Sequence, residues 1–139
     1  MESAYAYVSG TTQVNEQCNY ESSKTKVKVT GYKQVQPESV SQLKAAIDNG
    51  VVSVTIEADQ SVFQLYQSGV MDSTACGTQL DHAVAAVGYG TDAASGKEYY
   101  IVRNSWSASW GDQGYIKIAA VEGKGICGIQ MQNSYPSSD

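Results

Sequence analysis

Two short β-prone runs, residues 82–90 and 98–104, flank the turn-rich stretch Thr91-Asp92-Ala93-Ala94-Ser95-Gly96-Lys97. This pattern predicts a hairpin with a long loop, around which the rest of the chain must pack. A turn centred near residue 93 sets His82 opposite Asn104, because the two numbers average to 93. Opposite residues of an antiparallel ladder share a face, with Cβ atoms about 4.5–5.5 Å apart. An imidazole and a carboxamide then meet at the end of the sheet. An amide oxygen accepts the N–H of one ring nitrogen, fixing the tautomer and leaving the other nitrogen as a base. Trp106 and Trp110 follow almost at once and are placed to keep water from that hydrogen bond.

The flanking elements indicate an α+β chain. Ser39, with Gln42 three residues on, makes a capping box after Pro37. Val40, Leu43, Ala46 and Ile47 then fall on one helical face, and Gly50 stands where a helix closes. Residues 51–56 are β-branched and predict a strand, residues 61–67 a brief helical turn, and residues 110–119 a third strand of the hairpin sheet. Residues 1–36 are rich in Tyr, Thr, Ser, Gln and Val and carry no long apolar face. They predict an arm that packs on something else, with a strand at residues 26–32.

Several function classes are excluded at this level. The 139 residues suit one ordinary domain. With 14 acidic against 9 basic residues, the chain lacks the basic face a nucleic-acid binder needs. No apolar run approaches the ~18–20 residues that cross a bilayer, and Met1-Glu2-Ser3-Ala4-Tyr5 resembles no signal peptide. A single His and the absence of C-x-x-C give no metal ligand set. Gly90 to Gly96-Lys97 has the wrong spacing for a phosphate loop. No cofactor is expected. Cys18, Cys76 and Cys127 leave two readings open: three free thiols, or one disulfide and one cysteine whose partner lies elsewhere.

Leu80-Asp81-His82-Ala83-Val84-Ala85-Ala86-Val87-Gly88-Tyr89-Gly90 and Tyr99-Tyr100-Ile101-Val102-Arg103-Asn104-Ser105-Trp106 resemble the histidine and asparagine segments of the papain family of cysteine proteases. Trp110-Gly111-Asp112-Gln113-Gly114-Tyr115-Ile116 is similar to the segment that follows them. Weaker similarity runs through residues 37–50, 52–58, Phe63-Gln64-Leu65-Tyr66 and Cys127-Gly128. The resemblance covers essentially the whole chain but only part of the family's catalytic unit. It implies a papain-like α+β fold. Residues 1–33 would be the last part of the left domain, and residues 34–139 the right domain, an antiparallel sheet or barrel.

By that resemblance His82 is the base, and then the acid, that serves a thiolate nucleophile. A cationic imidazole beside a thiol ionises it well below its free pKa of about 8.5. Asn104 orients His82, and Trp106 shields their bond. Asp81 is at most a secondary contributor, since a strand neighbour points to the opposite face. The family's C-G-[SA]-C-[WY] nucleophile motif is absent. It lies roughly 130–150 residues before the family's His and Asn, hence about 50–70 residues before Met1. The family's oxyanion-hole glutamine falls in the same upstream region. Met1 is therefore expected to be an internal position, and the isolated chain inactive. Cys76 and Cys127 correspond to a structural disulfide, and Cys18 to a cysteine bridged to the upstream half.

The resemblance also places Thr55, Leu80, Ala83, Gln132 and Trp110 against substrate. Gln132 is a departure, a polar amide where many relatives carry a small or apolar residue, and implies weaker preference for Leu or Phe. Ser107 is another, replacing the glycine usual after Asn-Ser-Trp and bearing on the primed side. Protein or peptide substrates, a zymogen pro-segment and cystatin-like inhibitors are the implied partners, in a lysosome, vacuole or secreted fluid. Two alternatives stand beside the peptidase: a silicatein-like relative with its nucleophile replaced, and an inactive fragment that only folds or binds.

Overall fold

Val52, Val54 and Ile56 alternate with Ser53 and Thr55, and the three aliphatic side chains are fully buried while the intervening pair faces outward. That strand, β2 (Val52–Ile56), lies inside a seven-stranded sheet. A computed structural model describes residues 5–137. The other strands are β1 (Gly31–Gln34), β3 (Val70–Met71), β4 (His82–Thr91), β5 (Glu98–Arg103), β6 (Tyr115–Ala119) and β7 (Asn133–Ser137). The sheet order is β1-β7-β2-β4-β5-β6-β3, with every pair antiparallel except β3 and β6. The short helices are α1 (Ser9–Thr12), α2 (Val40–Asp48) and α3 (Ser61–Gln64).

The Ser39 hydroxyl accepts from the Gln42 N–H and starts α2. Leu43, Ala46 and Ile47 then enter the core formed with Val52, Val54 and Ala86. Each such aliphatic side chain contributes about 1.5–3 kcal/mol when fully buried. Lys44 pairs with Glu98 of β5 at 2.7 Å, and the Tyr89 hydroxyl donates to Asp48 at 2.8 Å, so polar contacts rim the same packing surface.

Two expected elements differ, and one strand is additional to those expected. The strand expected at residues 26–32 begins only at Gly31. Its ladder with β7 is described as far as Ser137, whose carbonyl accepts both the N–H and the hydroxyl of Thr30. Among the described residues the Lys-Val alternation upstream has no strand to pair with, and it is exposed. The third hairpin strand begins at Tyr115 rather than near Trp110. Asp112 and Tyr115 exchange backbone hydrogen bonds across a tight turn, with Gln113 and Gly114 at positive φ. Conversely, the serine-rich tail forms β7. Its Pro136 lies opposite Tyr32, beyond the two residues that pair with β2, so the missing N–H costs no bond to that neighbour.

The hairpin is one step longer than the sequence arithmetic. Near the turn, Thr91 pairs with Glu98 and Gly88 with Ile101; below it, Ala86 pairs with Val102 and Ala85 with Arg103. Val87 is the extra residue of a β-bulge. Continued past Ala85, this register sets Val84 opposite Asn104, so His82 is the diagonal neighbour of Asn104, not its direct partner. The displacement from the expected register is an even number of residues, which keeps both side chains on one face.

Candidate active site

His82 opens β4, where it pairs with Ile56 of β2, and Asn104 directly follows β5. The Asn104 N–H donates to Gly114 O at 2.9 Å, fixing the backbone where the ladder ends. The side chains meet: His82 Nε2 and Asn104 Oδ1 are 2.9 Å apart. The Ser105 N–H donates to the same Oδ1 at 2.7 Å. A backbone N–H can only donate, so that amide atom is the oxygen, and the proton of the histidine bond sits on Nε2. The neutral ring therefore carries its lone pair on Nδ1, which is left to take or return a proton. Asn104 is 8% exposed, and its Nδ2 donates to no group among the described residues.

Trp106 lies parallel to the imidazole, with centroids 5.2 Å apart and planes 26° apart. It is itself held edge-on by Phe63 at 5.6 Å and by Trp110 at 5.5 Å. Trp110 Nε1 donates to Gln64 O at 3.0 Å. The second indole thus braces the first from the α3 side. Phe63 is the member of this cluster that the sequence reading did not single out as a site residue. Its place in Phe63-Gln64-Leu65-Tyr66 was the available signal.

The remaining candidate residues fall beside this centre. Thr55 is paired with Ala83 across the ladder, and its hydroxyl donates to Gln132 O at 2.9 Å. That bond commits the hydroxyl to the main chain and leaves its methyl as the free face. Thr55, Met131 and Gln132 line a cleft of about 490 Å³ that does not include Leu80 or Ala83. Leu80 instead packs against Gly128, where a Cβ would come within 2.8 Å of Leu80 Cδ2 and 3.1 Å of Met131 Sδ. The Asp81 carboxylate accepts from the Ala58 N–H at 2.8 Å and so faces the end of β2 rather than the imidazole.

Ser107 adopts φ +70°, a left-handed conformation that costs a non-glycine residue about 1–2 kcal/mol. Its hydroxyl lies 2.7 Å from that of Ser109, which partly offsets that cost within the loop after Trp106. Cys76 and Cys127 form a buried disulfide, and Cys18 is free and exposed. Among the described residues no group of three or more His, Cys, Asp or Glu side chains could hold a metal ion.

A protein-family comparison matches residues 1–137 to the papain family cysteine proteases. The probable cysteine protease RD21C of Arabidopsis thaliana is 45% identical over 139 residues, covering 98% of this chain and 29% of its own length. A solved structure of the Carica candamarcensis cysteine protease CMS1MS2 in complex with E-64 superposes with TM-score 0.85 at 34% identity, covering all of this chain and 62% of that one. The ragweed pollen allergen Amb a 11, a cysteine protease solved in its proform, gives TM-score 0.85 at 30% identity over 99% of this chain and 37% of that one. The chain belongs to the papain family of cysteine proteases and has its papain-like α+β fold. It spans under a third of the length of RD21C.

Proposed function

We propose that this chain supplies the imidazole-and-amide half of a thiol endopeptidase, and that the nucleophilic cysteine belongs to a segment upstream. The observation that carries this reading is the His82 Nε2–Asn104 Oδ1 bond beneath the Trp106 ring. In the reaction, His82 Nδ1 takes the thiol proton and the resulting ion pair holds the thiolate. Attack on a peptide carbonyl then forms the acyl-enzyme as His82 returns the proton to the leaving amine. A second proton transfer through the same nitrogen activates water for deacylation. Asn104 keeps the ring in the required tautomer throughout.

Residues 1–33 are the remainder of a left domain, and residues 34–139 the right domain. The burial pattern supports this division: Val35 is the first buried residue, whereas Tyr5, Val14, Tyr20, Val27 and Val29 are exposed and offer apolar area to the other half. Cys18, free and exposed on that arm, pairs with a cysteine of the same upstream part. Thr55 and Gln132 of the cleft, with Leu80 and with Ala83 paired to Thr55, receive the substrate side chain two residues before the scissile bond, and Trp110 contacts substrate separately. The Gln132 amide there favours a polar or basic side chain over Leu or Phe. The buried disulfide suits a vacuolar, lysosomal or secreted enzyme, and the proform of the Amb a 11 relative supports synthesis as a zymogen.

The test is turnover. The full-length enzyme hydrolyses peptide substrates, discriminates weakly for Leu or Phe in a positional library, and is labelled by E-64 on a cysteine in a C-G-x-C-W setting. The isolated 139 residues do none of these. Activity of the isolated chain contradicts the proposal, and so does a serine at the upstream position, which selects the silicatein-like alternative.

A further inference from the structure

Glu57, one residue past β2, is 5% exposed, and no ion pair involves it among the described residues. The mechanism above does not use it. Its carboxylate accepts from the Gln79 N–H and, at 3.1 Å, from the Gln60 side-chain amide. Gly77 presses on the same group: a Cβ there would come within 2.2–2.6 Å of the carboxylate atoms, and its φ of +76° also requires glycine. A buried carboxylate is costly unless its lone pairs are filled, and here a backbone N–H of the segment leading into β4 helps to fill them.

That segment is held at intervals along its length. Cys76 is bonded to Cys127, and the Glu57 N–H donates to Cys127 O at 2.9 Å. The Asp81 N–H donates to Ile56 O at 3.0 Å, and the Asp81 carboxylate accepts from the Ala58 N–H. Between the disulfide and Asp81, the Glu57 carboxylate is, among the described residues, the one side chain that hydrogen-bonds this segment, at the Gln79 N–H. That bond is placed immediately before Leu80, whose side chain packs on Gly128, and Gly128 is in turn approached by Met131, next to Gln132.

We propose that Glu57 is a positioning residue for substrate selection: its buried carboxylate fixes residues 77–79 and thereby holds Leu80 against Gly128, in the turn leading into Met131 and Gln132, which line the cleft for the substrate's second residue before the cleavage point. The proposal rests on the peptidase reading. The imidazole is held separately, through Asp81 and the pairing of His82 with Ile56, so loss of the carboxylate acts on selection before it acts on proton transfer.

The experiment compares Glu57→Ala and Glu57→Gln in the full-length enzyme, with rates normalised to sites titrated by E-64. Glu57→Gln keeps an acceptor for the Gln79 N–H, while the Gln60 amide keeps its bond to the Asp59 carboxylate and gives up only the longer one to residue 57. In Glu57→Ala, the kcat/KM ratio between the preferred side chain and one smaller by a methylene collapses by about 10-fold, within the range such pocket contacts supply. The change appears in KM, kcat per titrated site is nearly preserved, and Glu57→Gln restores the ratio. Hydrogen exchange at the Gln79 amide accelerates in Glu57→Ala, while the Asp81 amide does not change. An active Glu57→Ala enzyme with unaltered selectivity per titrated site overturns the positioning role, leaving Glu57 a stability residue. A Glu57→Ala protein with no titratable site overturns it as well if Glu57→Gln fails to rescue selectivity. An inactive wild-type enzyme overturns the peptidase reading itself, which separates the two failures.

Discussion

Replacing His82 with alanine in the full-length enzyme is expected to lower kcat/KM by about 10³-fold or more. General acid–base catalysis alone typically contributes about 10²–10⁴-fold, and this ring also holds the nucleophile ionised. Without a cationic neighbour, a thiol of pKa about 8.5 is only a few per cent thiolate at pH 7. Asn104→Ala is expected to cost less than the loss of the ring. The imidazole remains, but the Nε2 proton loses its acceptor at 2.9 Å, and the ring can take the other tautomer or rotate under Trp106. Rates per titrated site order the three proteins. An Asn104→Ala enzyme as impaired as His82→Ala, or a His82→Ala enzyme within tenfold of wild type, contradicts the assigned roles.

The second large effect concerns stability. Cys76 and Cys127 are separated by 51 positions, and cross-linking a loop of that size removes about 4 kcal/mol of chain entropy from the unfolded state. Domains are typically stable by about 5–15 kcal/mol, so the double variant Cys76→Ala/Cys127→Ala is expected to lose a large share of that margin. Removing both sulfurs avoids leaving a buried lone thiol. The change is read from urea unfolding of the full-length enzyme at constant slope. A loss below about 1 kcal/mol contradicts the entropic account. The buried disulfide also anchors the segment that Glu57 holds, so the same variant should relax selectivity for the substrate's pocket residue.

Much of this architecture was legible because local and tertiary demands agree. The Ser39 cap, the Val40–Leu43–Ile47 stripe and the alternation of β2 all point inward without help from distant residues. The dyad was legible through parity alone. The expected register erred by two residues, yet an even error preserves the face, and a side chain as long as histidine reaches a diagonal neighbour. The bulge at Val87 carries no signal in composition, since any residue can be the extra one. β7 has no local strand pattern, since it carries Pro136 and serines. Its strand character comes from β1 and β2 on either side, which no local window reveals. For the same reason the Lys-Val alternation before Thr30 looked like a strand and is not one: it lacks a partner among the described residues. The Glu57 clamp joins residues 22 positions apart through one carboxylate and one backbone N–H, a contact without a pattern.

The most direct measurement of the central claim is ¹⁵N NMR of the His82 ring in the full-length enzyme with its nucleophilic thiol blocked by E-64, so that no thiolate holds the ring cationic. With Asn104 Oδ1 pinned as an acceptor by the Ser105 N–H, the neutral ring is predicted to hold its proton on Nε2, with the lone pair on Nδ1. A neutral ring protonated on Nδ1, with Nε2 bare, contradicts the account.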